Sequence, residues 1–249
     1  MRPTAVVTGA ASGIGRELVA ALQHDAWVAA LDRTPVSDEI PAAVQLEVDV
    51  TERDRLREVM AGIARERGRI DWVVCAAGII RDRVSWKMTD EEWDDVIRTN
   101  LTGAADVVRA SLPWLRKSPA GRVVFLGSIN GTRGRFGQSN YAASKAGLVG
   151  LARSLALELA RDGVTVNVVT PGFIDTPMTR RLPPEVLHGA VARTPLGRLG
   201  EPRDVADAVR FLCGPGAGFI TGAVIPVDGG QLLGGVGGGG GGGGAGSWA

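Results

Sequence analysis

Residues 128–147, SINGTRGRFGQSNYAASKAG, bring a hydroxyl, a phenol and an ammonium group into one short stretch. Tyr141 is the single tyrosine of the 249-residue chain, with Lys145 four positions later and Ser128 thirteen positions earlier. The small residues that follow Asn140 favour a helix, on which side chains four apart share a face. The spacing therefore predicts that Tyr141 and Lys145 point the same way, an arrangement that suits proton transfer.

These three side chains suit proton transfer at a substrate oxygen, and the rest of the chain must indicate which reaction that is. A phenol with a pKa of ~10 is a slow base at neutral pH, and a nearby ammonium group is expected to lower that pKa. Tyr141 would then donate or accept the proton, while Ser128 would hold the substrate oxygen on which charge develops. A Tyr-x-x-x-Lys pair alone is usually a surface pair, so this interpretation depends on Ser128 and on a cofactor-binding turn elsewhere.

The elements that must position these groups follow a strand-helix alternation. Short apolar runs lie at 4–8, 27–31, 44–48, 71–75, 122–127, 164–169 and 223–227. Helix-length segments lie between them, including 13–23, 51–67, 90–116, 140–161 and 202–213. This alternation predicts one doubly wound α/β domain over residues 1–233, with a seven-stranded parallel sheet and helices on both faces.

Two segments depart from that alternation. Residues 176–200 are long and proline-bearing where α/β units normally have a short turn, which favours a mobile lid over a site, with an irregular connection as the alternative. Residues 234–249 include eight consecutive glycines at 237–244, which cannot repay their ordering entropy by packing. We expect a flexible tail there.

Composition restricts the classes of function. The 28 basic and 27 acidic side chains give a net charge of +1 without a run of like charge, so nothing indicates a nucleic-acid or membrane-surface partner. No run of 18 apolar residues and no secretory leader pattern occur, which favours a cytoplasmic location. Cys75 and Cys213 lack metal-type spacing and are expected to be reduced core residues, and His24 and His188 show no partner spacing, so no metal site is expected.

A glycine-rich turn follows the first predicted strand. TGAASGIG, residues 8–15, places Gly9, Gly13 and Gly15 where the chain turns into a helix, although the spacing is not G-x-G-x-x-G. Such glycines let the backbone approach a pyrophosphate, and the helix N-terminus offers unpaired N–H groups to it. The turn predicts a dinucleotide site, with helix–strand packing as the alternative explanation.

The second predicted strand ends at Asp32, where a carboxylate can accept hydrogen bonds from the adenosine ribose hydroxyls and repel a 2′-phosphate. The residue favours NAD(H), although it could instead cap a turn. Arg33 could tolerate the phosphate, so NADP(H) is not excluded. Asp49, at the end of the third predicted strand, is within plausible reach of the adenine or, equally, caps the next helix together with Thr51.

Taken together, these residues resemble the short-chain dehydrogenase/reductase family. The matching motifs run in the family's order from residue 4 to about 232: TGAASGIG, Asp32, DVT at 49–51, AAG at 76–78, Asn100, Ser128, YAASK at 141–145, Pro171 and Gly172. One departure is the sequence CAAG at 75–78, where the family commonly has N-N-A-G.

The resemblance implies a Rossmann-type sheet and an oxidoreductase acting on CH–OH donors, which interconverts a ketone and a secondary alcohol. It implies a catalytic set of Asn100, Ser128, Tyr141 and Lys145, in which Asn100 positions a water beside the lysine and Lys145 also holds the nicotinamide ribose. It extends the expected cofactor contacts to Gly9, Ser12, Gly13, Ile14, Gly15, Asp32, Arg33, Asp49, Val50, Ala77, Gly78, Tyr141, Lys145, Pro171, Gly172, Ile174 and Thr176. The helix that carries Tyr141 also has four small residues, Ala142, Ala146, Gly147 and Gly150. They could let the helix pack on the sheet or let the helices of two copies meet. The resemblance favours contact between copies and a homotetramer.

Within the family, residues 78–103 and 130–147 are similar to the 3-oxoacyl thioester reductases, whose substrates are carried on acyl carrier protein or coenzyme A. The alternatives are a reductase or dehydrogenase of small or cyclic carbonyl compounds and, in another class, a non-catalytic NAD-binding regulator, against which the intact Ser, Tyr and Lys set speaks. Arginines near the expected site would suit a thioester with remote phosphates, or are simply solvated. They are Arg133, Arg135, Arg180, Arg181 and Arg193.

Overall fold

The computed structural model describes residues 2–36 and 42–234 of the chain. Seven strands form in this part of the chain, each within two residues of a predicted apolar run. They are β1 (Thr4–Thr8), β2 (Trp27–Asp32), β3 (Val44–Glu47), β4 (Trp72–Cys75), β5 (Arg122–Leu126), β6 (Thr165–Pro171) and β7 (Val224–Val227).

The strands form one parallel sheet in the order β3-β2-β1-β4-β5-β6-β7. The order reverses between β1 and β4, which pair in parallel with Thr8 opposite Cys75. Ligands of doubly wound sheets bind in the crevice beyond the carboxyl ends of the strands at such a switch point. The predicted fold class, a doubly wound seven-stranded parallel sheet, is confirmed.

The described residues form eight α-helices: α1 (Gly13–Leu22), α2 (Arg53–Arg67), α3 (Asp90–Ile97), α4 (Ala104–Leu115), α5 (Ile129–Arg133), α6 (Ser139–Glu158), α7 (Pro184–Ala192) and α8 (Pro202–Cys213). Sequence signals set several ends: Thr89 and Glu92 form a reciprocal cap at the start of α3, and α2 ends at Gly68, whose φ of 74° is left-handed. The single helix predicted over 90–116 is wrong, because six residues from Arg98 to Gly103 form a π-helical turn between α3 and α4.

Two apolar layers enclose the sheet. On one face, buried residues of α1 and α8 such as Leu18 and Leu212 pack against the strands. On the other face, α2, α4 and α6 contribute buried residues that include Met60, Val107 and Leu148. Because both faces are covered, the strands are apolar throughout, which explains their continuous rather than alternating hydrophobic pattern.

Residues 176–200, the predicted lid, contain structure that the sequence pattern did not reveal. The segment holds a short 3₁₀ turn (Thr179–Arg181) and helix α7. Its far end is attached to the C-terminal segment, because the buried Gln231 donates from Nε2 to the Ala190 carbonyl (3.3 Å) and Leu196 N donates to the Gly229 carbonyl (3.2 Å). Mobility of this segment and the domain boundary at residue 233 stay predictions, and residues 235–249 of the predicted tail lie outside the described residues.

Candidate active site

A cavity opens at the carboxyl ends of the strands, where the sheet order reverses. Its wall includes Ser128, Tyr141 and Lys145, together with all the residues expected to contact the cofactor. Asn100 is not part of this wall, but it contacts residues that are. The fold thus brings the sequence-predicted residues to one place, while their individual roles remain predictions.

The glycine-rich turn passes from β1 to α1 beneath one end of the cavity. Gly9 has a φ of 71°, and a Cβ built there would lie 2.7 Å from the Ala77 nitrogen, so only glycine fits. A Cβ at Gly15 would overlap the Gly9 carbonyl oxygen. These two glycines are thus required by packing, which bears out that alternative for part of the motif.

The start of α1 nevertheless remains available to a ligand. Ser12 is the N-cap of the helix, yet its side chain makes no capping hydrogen bond to the first turn. A Cβ at Gly13 would meet only the Thr176 side chain, at 3.5 Å or more. Unpaired N–H groups at a helix N-terminus favour a phosphate group. These observations fit the pyrophosphate of a dinucleotide cofactor.

Asp32 ends β2 beside this turn and holds it in place. Its Oδ2 accepts the backbone N–H of Ala11 (3.0 Å), and its Oδ1 accepts the N–H and hydroxyl of Thr34 (both 3.0 Å). The carboxylate thus organises two segments of the cavity wall, as a turn cap would, and still lines the cavity. Its charge therefore lies where a ribose, or a 2′-phosphate, of a bound cofactor would approach.

Asp49 lies two residues beyond the end of β3, so it is not the strand-end residue that the sequence predicted. Its Oδ1 accepts the N–H and hydroxyl of Thr51 (both 2.8 Å). Helix α2 takes Glu52 as its N-cap, without a side-chain cap, so Asp49 and Thr51 form a turn ahead of the helix rather than its cap. Asp49 and Val50 both line the cavity.

Asn100 is buried in the π-helical turn, with 1% of its surface exposed. Its Oδ1 accepts the N–H of Ile79 (2.8 Å), and its Nδ2 donates to the Ile79 carbonyl (3.0 Å) and to Ser144 Oγ (3.2 Å). The amide therefore connects the segment that follows β4 to helix α6. π-Turns in helices frequently mark functional sites, and this one places the Asn100 amide in contact with helix α6.

The structure shows why residue 78, after β4, is a glycine, although the asparagines that the family commonly has before it are absent. A Cβ at this position would lie 3.3 Å from Asn100 Oδ1 and 3.5 Å from Lys145 Nζ. Both polar groups therefore approach the backbone of residue 78 closely. The space at residue 78 is therefore needed by two side chains of the predicted catalytic set.

Lys145 lies on α6 and is almost completely buried, with 6% exposure. Its Nζ donates to the Leu126 carbonyl at the end of β5 (2.7 Å) and lies 5.7 Å from the centre of the Tyr141 ring. Burial lowers the pKa of Lys145 to about 8. The side chain is thus held on the same face as Tyr141, as the i, i+4 spacing predicts.

Tyr141 is half-buried near the start of α6. Burial raises its pKa, a hydrogen bond with Ser128 acts in the opposite direction, and the charge of Asp82 raises it further. The expected lowering of this pKa by Lys145 is therefore not found, because desolvation is the largest effect. A phenol with a raised pKa is protonated at neutral pH, which is the form that can donate a proton to a ketone oxygen.

Ser128 is the N-cap of the short helix α5, where its Oγ accepts the Asn130 N–H (3.1 Å). The cap fixes the rotamer of Ser128, two residues beyond the end of β5, next to the Tyr141 hydroxyl. A substrate oxygen between these two hydroxyls would meet two preorganised donors.

Sequence reasoning missed a polar network beside this pair. Gln138, which is 4% exposed, donates from Nε2 to both oxygens of Asp82 (3.0 and 2.9 Å) and accepts from Asn130 Nδ2 (3.0 Å). The network holds the α5 segment to the exit of β4. The one sequence signal for this network was Gln138 itself, a glutamine next to a glycine and three residues before Tyr141. The surrounding sequence is otherwise typical of a flexible loop.

The comparisons with known proteins agree with this site. A family model described as "Enoyl-(Acyl carrier protein) reductase" matches residues 9–231. The chain belongs to the short-chain dehydrogenase/reductase family. It is 40% identical over 238 residues to a "3-oxoacyl-[acyl-carrier-protein] reductase FabG" of Thermotoga maritima, and 41% identical to the proteins of that name from Vibrio harveyi and Escherichia coli. Each comparison covers 92% of this chain and 97% of the relative.

As a short-chain dehydrogenase/reductase, the protein is an oxidoreductase that acts on CH–OH donors with a nicotinamide cofactor. The cofactor supplies hydride chemistry. The residues that would hold it are the glycine turn, the α1 N-terminus, Asp32 and Lys145. The proton that Tyr141 would donate and the hydroxyl of Ser128 stay predictions of the chain's own contribution to the reaction.

Neither cysteine of the chain lines the cavity. Cys75 and Cys213 are free and buried, and burial raises the pKa of each thiol to about 12. Within residues 2–36 and 42–234, no group of three His, Cys, Asp or Glu side chains could hold a metal ion. No helix in this part of the chain is long and apolar enough to cross a membrane.

Proposed function

We propose that the protein is an NAD(H)-dependent reductase of 3-oxoacyl thioesters, carried on acyl carrier protein or coenzyme A. The observation that supports it most is the Ser128–Tyr141 pair in the same cavity as the glycine turn. In the reductive direction, Tyr141 gives its proton to the ketone oxygen while Ser128 donates to that oxygen. The buried Lys145 ammonium stabilises the negative charge that remains on the phenol.

The choice of NAD(H) is supported by Asp32 and by the lack of a basic residue before Gly13 in the turn. The Asp32 carboxylate faces the cavity and would repel a 2′-phosphate. Arg33 also lines the cavity and is the one side chain beside Asp32 that could attract that phosphate. The relatives' printed names specify the acyl carrier protein substrate and leave the nicotinamide cofactor open.

We also propose a cytoplasmic homotetramer in which copies meet along α6. Of the small residues on this helix, Gly147 seats it on the chain itself, because a Cβ there would lie 2.7 Å from Leu101 Cδ2. Ala146 and Gly150 are exposed, and a Cβ at Gly150 would touch nothing within 4 Å. These two positions let another helix approach closely.

The experiment for the proposed function is an NADH and NADPH oxidation assay over a substrate panel. The panel holds acetoacetyl-CoA, acetoacetyl-acyl carrier protein, uncharged linear ketones and cyclic ketones. We expect the highest kcat/KM for a thioester with NADH. A higher kcat/KM for an uncharged ketone would instead assign the protein to reduction of small carbonyl compounds.

A further inference from the structure

Three arginines form a cluster at the entrance to the site. The arginine cluster consists of Arg133 at the end of α5, Arg135 two residues later, and Arg193 at the end of α7. Burial is the largest cause of a lowered pKa at Arg133, and repulsion from Arg193 and Arg135 follows it. The charges of Arg135 and Arg193 both act on Arg133, so the three side chains belong to one cationic region.

The described residues supply this cluster with no ion-pair partner. No carboxylate of residues 2–36 or 42–234 forms a salt bridge with Arg133, Arg135 or Arg193, and Asp228 is the one acid that acts on Arg133. Both oxygens of Asp228 are already used, by the N–H groups of Gly230 (2.9 Å) and Leu232 (2.8 Å). The cluster thus keeps an excess of positive charge.

Other arginines in the neighbouring segments are neutralised, which sets the cluster apart. Arg180 makes a two-pronged ion pair with Asp175 (2.7 and 3.0 Å), and Arg198 does the same with Asp204 (2.7 and 3.1 Å). The broad cationic rim considered from the sequence therefore loses Arg180. Of the other arginines of that rim, Arg133, Arg135 and Arg193 form the cluster, and Arg181 lies outside it.

Contacts hold the cluster in a defined position. Arg133 Nε donates to Asn130 Oδ1 (3.1 Å), two residues from Ser128, and the Arg135 guanidinium lies 5.1 Å from the centre of the Phe173 ring. Arg193 folds back over α7, so a Cβ at Gly189 would lie 3.3 Å from its Nη1. Arg135 and Phe173 also line the cavity that contains Tyr141. Arg135 therefore brings the cluster to the wall of the active-site cavity.

We propose that the arginine cluster binds the phosphate groups of the pantetheine arm that carries the acyl thioester. Guanidinium groups match phosphate geometry with paired hydrogen bonds, and a phosphate would remove the repulsion within the cluster. Arg193 belongs to α7, whereas Arg133 and Arg135 belong to the α5 segment. A phosphate bound between them would therefore connect the two walls of the entrance. This inference rests on the proposed reduction of 3-oxoacyl thioesters.

The test compares three acetoacetyl thioesters with NADH. Acetoacetyl-pantetheine has no phosphate, acetoacetyl-4′-phosphopantetheine has the phosphate shared by both carriers, and acetoacetyl-CoA has the additional coenzyme A phosphates. We expect KM to fall by roughly ten- to hundredfold once phosphate is present, as for hydrogen bonds to a charged group. A lower KM for acetoacetyl-4′-phosphopantetheine than for acetoacetyl-pantetheine identifies the shared phosphate. A KM that falls only with acetoacetyl-CoA identifies the additional coenzyme A phosphates.

Variants locate the effect. Arg193→Gln and Arg133→Gln should each reduce the kcat/KM ratio of the phosphorylated to the unphosphorylated thioester by about tenfold, and added salt should reduce it in the parent protein. Arg65→Gln is the matched control, since it removes the same charge from an exposed position on α2. Its ratio should equal that of the parent protein.

The outcomes separate this inference from the proposed function. Equal KM values for all three thioesters, with good turnover, would overturn the phosphate site and leave thioester reduction intact. An equal loss in Arg65→Gln would reduce the effect to net charge and overturn it as well. Turnover of none of the thioesters would remove the proposed function, and the inference with it.

Discussion

The Asp32 carboxylate accepts the backbone N–H of Ala11 at 3.0 Å, so the end of β2 is joined directly to the glycine-rich turn. The residue proposed to select the cofactor is thus also part of the structure that binds it. Removing its charge and removing its hydrogen bonds are therefore different perturbations. An amide at this position removes the charge and keeps one oxygen that can accept the Ala11 N–H, while its NH2 group can no longer accept from the Thr34 N–H.

We expect Asp32→Asn to lower the ratio of kcat/KM for NADH to kcat/KM for NADPH by about tenfold, the effect of one interaction worth ~1.4 kcal/mol. The preference for NADH would then be narrowed or reversed. The measurement is kcat/KM for both cofactors at one ketone concentration. Glu47→Gln is the control, since Glu47 is the exposed register partner of Asp32 on β3. A parent protein that prefers NADPH would show that Arg33 outweighs Asp32.

Gly78→Ala should lower kcat/KM by about tenfold or more, because the added methyl group crowds Asn100 Oδ1 and Lys145 Nζ. Steady-state rates with acetoacetyl-CoA measure this. In Gly62→Ala, within α2, the new Cβ has no neighbour within 4 Å, so that variant should keep its activity and gain about 0.5–1 kcal/mol of stability. Equal activity of both variants would contradict the crowded site.

The pH dependence of reduction should report Lys145. Burial lowers the pKa of Lys145 to about 8, whereas burial raises that of Tyr141, so the ammonium is lost first as the pH rises. The value of kcat/KM for NADH, which reflects the free enzyme, should therefore decline above a pH of about 8. In Lys145→Arg the group stays charged, so the decline should move to higher pH. An unchanged decline in that variant would assign it to another group.

The sequence predicted the sheet and the cavity residues well because both depend on local patterns. Apolar runs and strand-end positions such as Asp32 and Ser128 determine which residues meet at the carboxyl edge of a parallel sheet. The π-turn around Asn100 and the network of Gln138 could not be predicted, because they depend on contacts between distant segments. The raised pKa of Tyr141 likewise follows from burial, which spacing alone does not reveal.

Gln138→Leu should destabilise the protein by roughly 1–3 kcal/mol, since it leaves the buried amide of Asn130 and the carboxylate of Asp82 without their partner. Denaturant unfolding measures the change. Ser139→Ala, one residue later, removes the bond from the exposed Ser85 (3.1 Å) and a weak bond to Met88 Sδ (3.8 Å), and should cost less than about 0.5 kcal/mol. Similar stabilities for the two variants would contradict the structural role of the network.

The most direct test of the account is the rate of NADH oxidation with acetoacetyl-CoA by the parent protein and by Tyr141→Phe. The variant keeps the ring and loses the hydroxyl, so we expect kcat to fall by about 10²- to 10⁴-fold while the Kd for NADH stays within a few-fold. Fluorescence titration with NADH supplies that Kd. A kcat within tenfold of the parent value would contradict Tyr141 as the proton donor, and with it the mechanism proposed for the site.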